Sequence, residues 1–149
     1  LREKLETFSK NELGIWAIQF SAEKLTGLAR DALSVAQKKY DERDVQYGNI
    51  FESIRNYREA ISYLDTVNPK PDFYAEIIDG FEKVQNELEK RHEEQRFRAD
   101  HAINVSDWPT AARELKILCE LIPDRNDSRN KEATRKLIDV ESRLKKARH

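Results

Sequence analysis

Few of the 149 residues carry side chains suited to chemistry beyond ordinary charge. There are three histidines, His92, His101 and His149, and one cysteine, Cys119. Glu89 and His92 make a Glu-x-x-His pair, a spacing that turns both side chains toward a metal in di-iron helical bundles. Such a centre needs a second pair, and His101 has Arg98 three residues before it, a cation where a carboxylate is required. No Cys/His cluster has zinc spacing, and there is no glycine-rich phosphate loop, nucleophile elbow or catalytic-cysteine context. Carboxylates are abundant, but on charged helices they are usually salt-bridged and solvated. Cys119, near Leu118 and Leu121, reads as a buried core thiol and cannot form an internal disulfide. One cysteine fits the cytosol and the periplasm alike, so compartment stays open. These residues predict no catalytic centre, no metal and no cofactor.

Charged residues make up 37% of the chain, where about 25% is usual, and there are four glycines and four prolines. With so few turn formers, many short strands are excluded and one all-α domain over 1–149 is expected. Lys and Arg total 27 against 28 Asp and Glu. That balance gives no overall field toward nucleic acid or anionic membranes. The longest apolar stretch, Leu13 to Phe20, is interrupted by Gln19 and falls short of the roughly 20 residues a span needs, so no membrane insertion is expected. The chain starts at Leu1 and has no methionine. It reads as a piece of something longer, with any signal or anchor outside it.

The positioning elements follow from periodicity. Leu25, Leu28, Ala29, Ala32, Val35 and Ala36 form one helical stripe, and no proline interrupts the stretch from Asn11 to Asn56. One long helix, or two nearly continuous ones, is expected over about 12–55, with Ser9 and Glu12 as a capping box. Gly14, Gly27 and Gly48 each cost such a helix about 1 kcal/mol against alanine, so each needs a reason or marks a bend. Asn56 with Glu59 repeats the cap-and-reach spacing and predicts a second helix carrying Tyr57, Ala60, Ile61, Leu64 and Val67, stopped before Pro69. Asp72 is expected to cap a third, with Phe73, Ile77, Phe81, Val84 and Leu88 on one side and no breaker after Gly80 until about Ser106. The charge-rich run Glu87–His101 reads as its solvated part, projecting beyond the core. Ser106, Asp107, Trp108 and Pro109 start a fourth helix, with Ala111, Ala112, Leu115, Leu118, Leu121 and Ile122 inward. The last runs from about Ser128 to Ala147 with Ala133, Leu137, Val140 and Leu144.

Two of these segments match. Tyr57, Ala60, Leu64 and Val67 have the same steps as Trp108, Ala111, Leu115 and Leu118, and both sets are followed by proline. A small alanine lets helices approach while the larger side chains fill the space beside it. The pattern resembles the second helix of a tetratricopeptide repeat, and Trp108 to Pro123 fits throughout. Gly48 and Phe51 fall where the family has a small residue and an aromatic on its first helix. In the second copy Ala99 is acceptable, whereas Arg98 and Ala102 depart from the apolar and aromatic residues usual there. The copies stand 51 residues apart, wider than the family's 34.

The resemblance implies antiparallel helix pairs in a right-handed array, with long helices, units at about 41–70 and 92–123, and a capping helix at about 128–147 that shields the last apolar face. It implies a non-enzymatic scaffold whose concave face binds a peptide or partner helix. Carried over by position, Val45, Asn49 and Glu52 line that face in the first copy and Arg96, Asp100 and Ile103 in the second. Family members that grip a C-terminal carboxylate have a lysine four residues before an asparagine, and Val45 stands there instead. The rival class is a structural or oligomerisation segment packing against copies of itself. Charge is compatible with either. Residues 129–149 carry eight bases against three acids, and 72–100 nine acids against five bases, so these segments attract within the fold or between copies, the alternative being an anionic ligand at the basic end.

Overall fold

The computed structural model describes residues 21–148; the expected capping box at Ser9, together with Gly14 and the stretch Leu13–Phe20, lies outside them. Among the described residues there are five α-helices and no strand. They are α1 (Ala22–Asp41), α2 (Asn49–Tyr63), α3 (Tyr74–Asn104), α4 (Trp108–Leu121) and α5 (Ser128–Ala147). α1 begins at Ser21, whose hydroxyl accepts from the Lys24 N–H at 3.1 Å. Its buried stripe is Leu25, Ala29, Ala32, Leu33 and Ala36. Val35, expected on that stripe, stays 43% exposed, and Leu33 turns inward instead.

The first helix is not continuous to 55. It stops at Asp41, a turn covers 42–48, and α2 then runs back along it. Side chains satisfy the carbonyls left over at this end: Asn49 Nδ2 donates to Glu42 O at 2.8 Å and Arg43 Nη1 to Tyr40 O at 2.9 Å. Asn56 is therefore no helix start. It sits inside α2 and donates to Glu52 O, four residues back. The segment 41–70 thus holds one complete helix, and the first antiparallel pair is α1 with α2. At the far end of α2, Lys70 Nζ donates to Leu64 O at 2.6 Å and Val67 O at 2.9 Å.

α3 has 31 residues, about 46 Å at the usual rise. Its cap position is Phe73, with no side-chain cap hydrogen bond, so Asp72 does not cap it. Its charged half does not project beyond the core. Ile77, Val84 and Leu88 enter a first cluster with α1 and α2, while Ala99 and Ala102 enter a second with α4 and α5. Between them Gln95 is buried, and its amide donates to Glu114 O at 2.9 Å and Glu114 Oε1 at 2.8 Å. A hydrogen-bonded polar side chain thus takes the place of an apolar one where the clusters meet.

α4 starts as expected, with Asp107 accepting from the Thr110 N–H at 3.3 Å and Pro109 in the first turn. Its inner face, Ala111, Ala112, Leu115, Leu118, Leu121 and Ile122, is buried throughout. Leu121 and Ile122 belong to the first cluster and the earlier residues to the second, so α4 and its end tie the two together. Gly48 lies against this end: a Cβ there would stand 3.4 Å from Glu120 O. α5 is capped by Asp127 and packs on α4 through Ala133, Leu137 and Val140.

Tyr57 and Trp108 do not occupy equivalent places. Tyr57 is interior to α2 and buried, and its ring fills the space left by Gly80 on α3. Trp108 opens α4, is half-buried, and lies under the Arg143 guanidinium of α5 at 5.2 Å. Each meets the helix that follows it in sequence. The remaining repeat positions Ala60, Leu64, Val67, Ala99, Ala111, Leu115 and Leu118 are all buried, as is Phe51, while Pro123 is exposed.

Candidate functional site

Several open grooves lie between the described helices, and three of them bear on a candidate site. The first runs between the C-terminal half of α3 and the middle of α5, encloses about 560 Å³ and is lined by Asp100, Ile103, Asn104, Arg135, Lys136 and Asp139. Lys136 Nζ reaches Asp100 Oδ1 at 2.9 Å and Glu132 Oε2 at 3.2 Å. Burial works against this ammonium, but the hydrogen bonds to Asp100 and Glu132 outweigh it and hold its pKa above the ordinary lysine value. This is also where the oppositely charged stretches meet, through Lys136 and Asp100.

The six positions carried over for a binding face are divided by the structure. Asp100 and Ile103 line this groove, and Arg96 is exposed one turn earlier, paired with Glu93 at 3.2 Å. Val45 is exposed in the turn before α2, and Glu52 pairs with Arg55 at 3.2 Å. Asn49 is 6% exposed and committed to the end of α1, so it is closed to a ligand. The turn carrying Val45 is tied to α3 by Asp44 and Arg91 at 3.1 Å.

That tie belongs to a cluster that periodicity alone did not reveal. Tyr40 donates its hydroxyl to Glu87 Oε1 at 2.6 Å, and Arg91 reaches Glu87 Oε2 at 2.8 Å. Arg43 Nε lies 3.2 Å from the same oxygen, as an ion pair without hydrogen-bond alignment. The hydrogen bond to Glu87 raises the Tyr40 pKa, with burial adding to it. Burial opposes the Glu87 charge, but Tyr40, Arg91 and Arg43 hold that carboxyl below its usual value.

A second groove, of about 700 Å³, opens between α1, α2 and α3 beside Tyr57, with Asp41, Glu76, Asp79 and Lys83 at its edges. Burial raises the Tyr57 pKa, and Glu76 and Asp41 add to the effect. The third groove encloses about 800 Å³ where the end of α4 meets α5. Cys119 faces it half-buried, with Sγ 3.6 Å from Thr134 Oγ1, and so is not the enclosed thiol expected from Leu118 and Leu121. Lys131, Thr134, Arg135 and Ile138 form a stripe of α5 beside the one that enters the core, and the buried Asn130 lines the groove with them.

Glu89 and His92 do share one side of α3, but Arg129 lies with them. Burial lowers the His92 pKa, and Arg129 and Arg96 lower it further. Among the described residues no group of three or more His, Cys, Asp or Glu is placed to hold a metal ion, and no helix is long and apolar enough to cross a membrane. No family model matches the chain, and neither a curated protein nor a solved structure matches it significantly.

Proposed function

We propose that this chain is a non-enzymatic interaction scaffold, a tetratricopeptide-like right-handed array of helix pairs that binds a peptide or a partner helix. The pairs are α1 with α2 and α3 with α4, and α5 covers the apolar face of α4 in the capping role. The observation that carries the reading is the groove along α3, where Asp100 and Ile103 line an open surface held by the rigid α3–α4–α5 packing. A groove between helices, with an aliphatic side chain and charges of both signs, suits a short segment whose charges fix its register. Of the two units proposed from the repeat, the second spans a helix pair, α3 and α4. In the first, Gly48 precedes α2 and both Phe51 and Tyr57 lie on α2, and the reading takes the first pair from residue 22.

The test is selection of binders from a displayed peptide library against the full chain, followed by affinity measurement with Arg96→Glu, Asp100→Lys and Ile103→Asp. At least one of these should weaken a selected peptide tenfold or more. Peptides whose affinity is unmoved by all three variants would overturn the α3 face as the site.

One observation favours self-association instead. Phe97, 73% exposed, and Val105, 57% exposed, stand four residues either side of His101, with the Phe97 and His101 rings stacked at 6.4 Å. An apolar ridge of that kind packs against a second copy in an oligomerisation segment. Sedimentation equilibrium decides between the two: a dimer dissolved by Phe97→Asp supports self-association, and a monomer at tens of micromolar leaves the α3 face open for a partner.

A further inference from the structure

The groove between the end of α4 and α5 has a lining of unbalanced charge. Arg125, Lys131 and Arg135 line it with no ion pair to any described residue, and Glu120 is its one carboxylate. Its apolar part is formed by Cys119, Pro123 and Ile138, the last 64% exposed. Lys131, Thr134, Arg135 and Ile138 follow the three, four and seven spacing of a single helix face. The inward stripe of α5, by contrast, is Asn130, Ala133, Leu137 and Val140. α5 therefore presents two neighbouring faces, one packed on α4 and one that no other described helix covers.

We propose that this second face docks an acidic amphipathic helix of a partner protein. Its apolar side chains lie over Ile138 and Pro123, and its carboxylates face Arg125, Lys131 and Arg135. Charge complementarity chooses the sign of the partner, since three unpaired cations around an apolar strip repel a basic helix and attract an acidic one. The geometry chooses the form. A trough between two helices, lined at helical spacing, accepts ridges from a third. The site is separate from the Asp100 and Ile103 groove, on the other side of Arg135, which lines both.

The experiment uses the full chain and two labelled, helix-stabilised peptides of 18 residues, about five turns. Both carry leucines at helical spacing; one is flanked by glutamates and the other by lysines. Fluorescence anisotropy gives affinity, and the alkylation rate of Cys119, the chain's single cysteine, gives occupancy of this groove. The glutamate peptide should bind at least tenfold more tightly than the lysine peptide, weaken with added salt and slow Cys119 alkylation several-fold. Ile138→Asp should weaken it tenfold or more, and Lys131→Glu with Arg135→Glu should reverse the preference. These positions are exposed, and circular dichroism of each variant checks that it is folded. Arg125→Glu is a second, independent probe.

Equal binding of the two peptides, no binding at millimolar concentration, or unchanged Cys119 alkylation would overturn the proposal. So would protection of Cys119 by a second copy of the chain as concentration rises without peptide. If Ile103→Asp abolished binding while Ile138→Asp did not, this groove would be excluded and the α3 face supported. The two sites can therefore fail separately.

Discussion

At the scale of single residues, two helical glycines with the same propensity cost have opposite reasons to exist. A Cβ added at Gly27 would meet nothing within 4 Å, whereas one at Gly80 would lie 2.5 Å from the Tyr57 hydroxyl oxygen and 2.6 Å from its ring. Gly27→Ala should therefore stabilise the protein by about 1 kcal/mol, the ordinary helix-propensity gain. Gly80→Ala should instead destabilise it, because the Tyr57 ring has to leave a buried site. Urea melts of the two variants check the pair, and equal shifts would show that Tyr57 does not depend on the missing side chain. His92 carries a pH prediction. Burial, Arg129 and Arg96 depress its pKa below the usual 6.5, so the unfolded chain binds its proton more readily than the folded one. Its contribution to stability is complete above pH 6.5 and is lost as the pH falls through the depressed folded value. His92→Gln should flatten the thermal-stability profile on the acid side of that pH, compared between the two proteins in the same buffers.

At the scale of elements, the polar residues at helix ends and junctions decide where the chain turns. The end of α1 depends on the buried Asn49 amide, which donates to Glu42 O at 2.8 Å. Asn49→Ala should cost about 1–2 kcal/mol, since it leaves that carbonyl without its partner. Chemical denaturation measures the loss directly, and a loss near zero would mean water replaces the amide. Gln95 does comparable work between α3 and α4, donating to both Glu114 O and Glu114 Oε1. The start of α4 was legible because Asp107 and the first-turn Pro109 are local signals, whereas Asp72 offered the same kind of signal and does not cap α3. Residues 42–48 contain no proline, and Gly48 marks a bend without showing that the chain reverses there, so the antiparallel turn between α1 and α2 was not legible. The Asn56 and Glu59 spacing fits a helix start equally well when it lies inside a helix, and here it misled.

At the scale of the molecule, the two apolar clusters among the described residues are joined by α3 and by the end of α4, where Leu121 and Ile122 enter the first cluster. One cooperative unfolding transition is expected, because neither cluster can open without disturbing a helix shared with the other. Ile122→Ala should cost about 2–5 kcal/mol, the usual range for truncating a fully buried aliphatic. Hydrogen exchange should show the loss in α2 as well as in α5. Protection lost on one side alone would mean that the clusters unfold separately.

The amino-acid order determined the all-helical class and most of the inward-facing residues, since a period near 3.6 and scarce turn formers are properties of neighbouring positions. Asp100 and Ile103, carried over from the resemblance, line a groove between α3 and α5. Tertiary packing decided the rest: that α1 turns back at residue 42, that the charged half of α3 is built into the protein, that Asn49 is closed off, and that Cys119 faces a basic trough. These outcomes depend on which surfaces meet across long separations, such as Gly48 with Glu120 and Tyr57 with Gly80. A helical period describes one element's face and carries no record of the neighbour that will cover it.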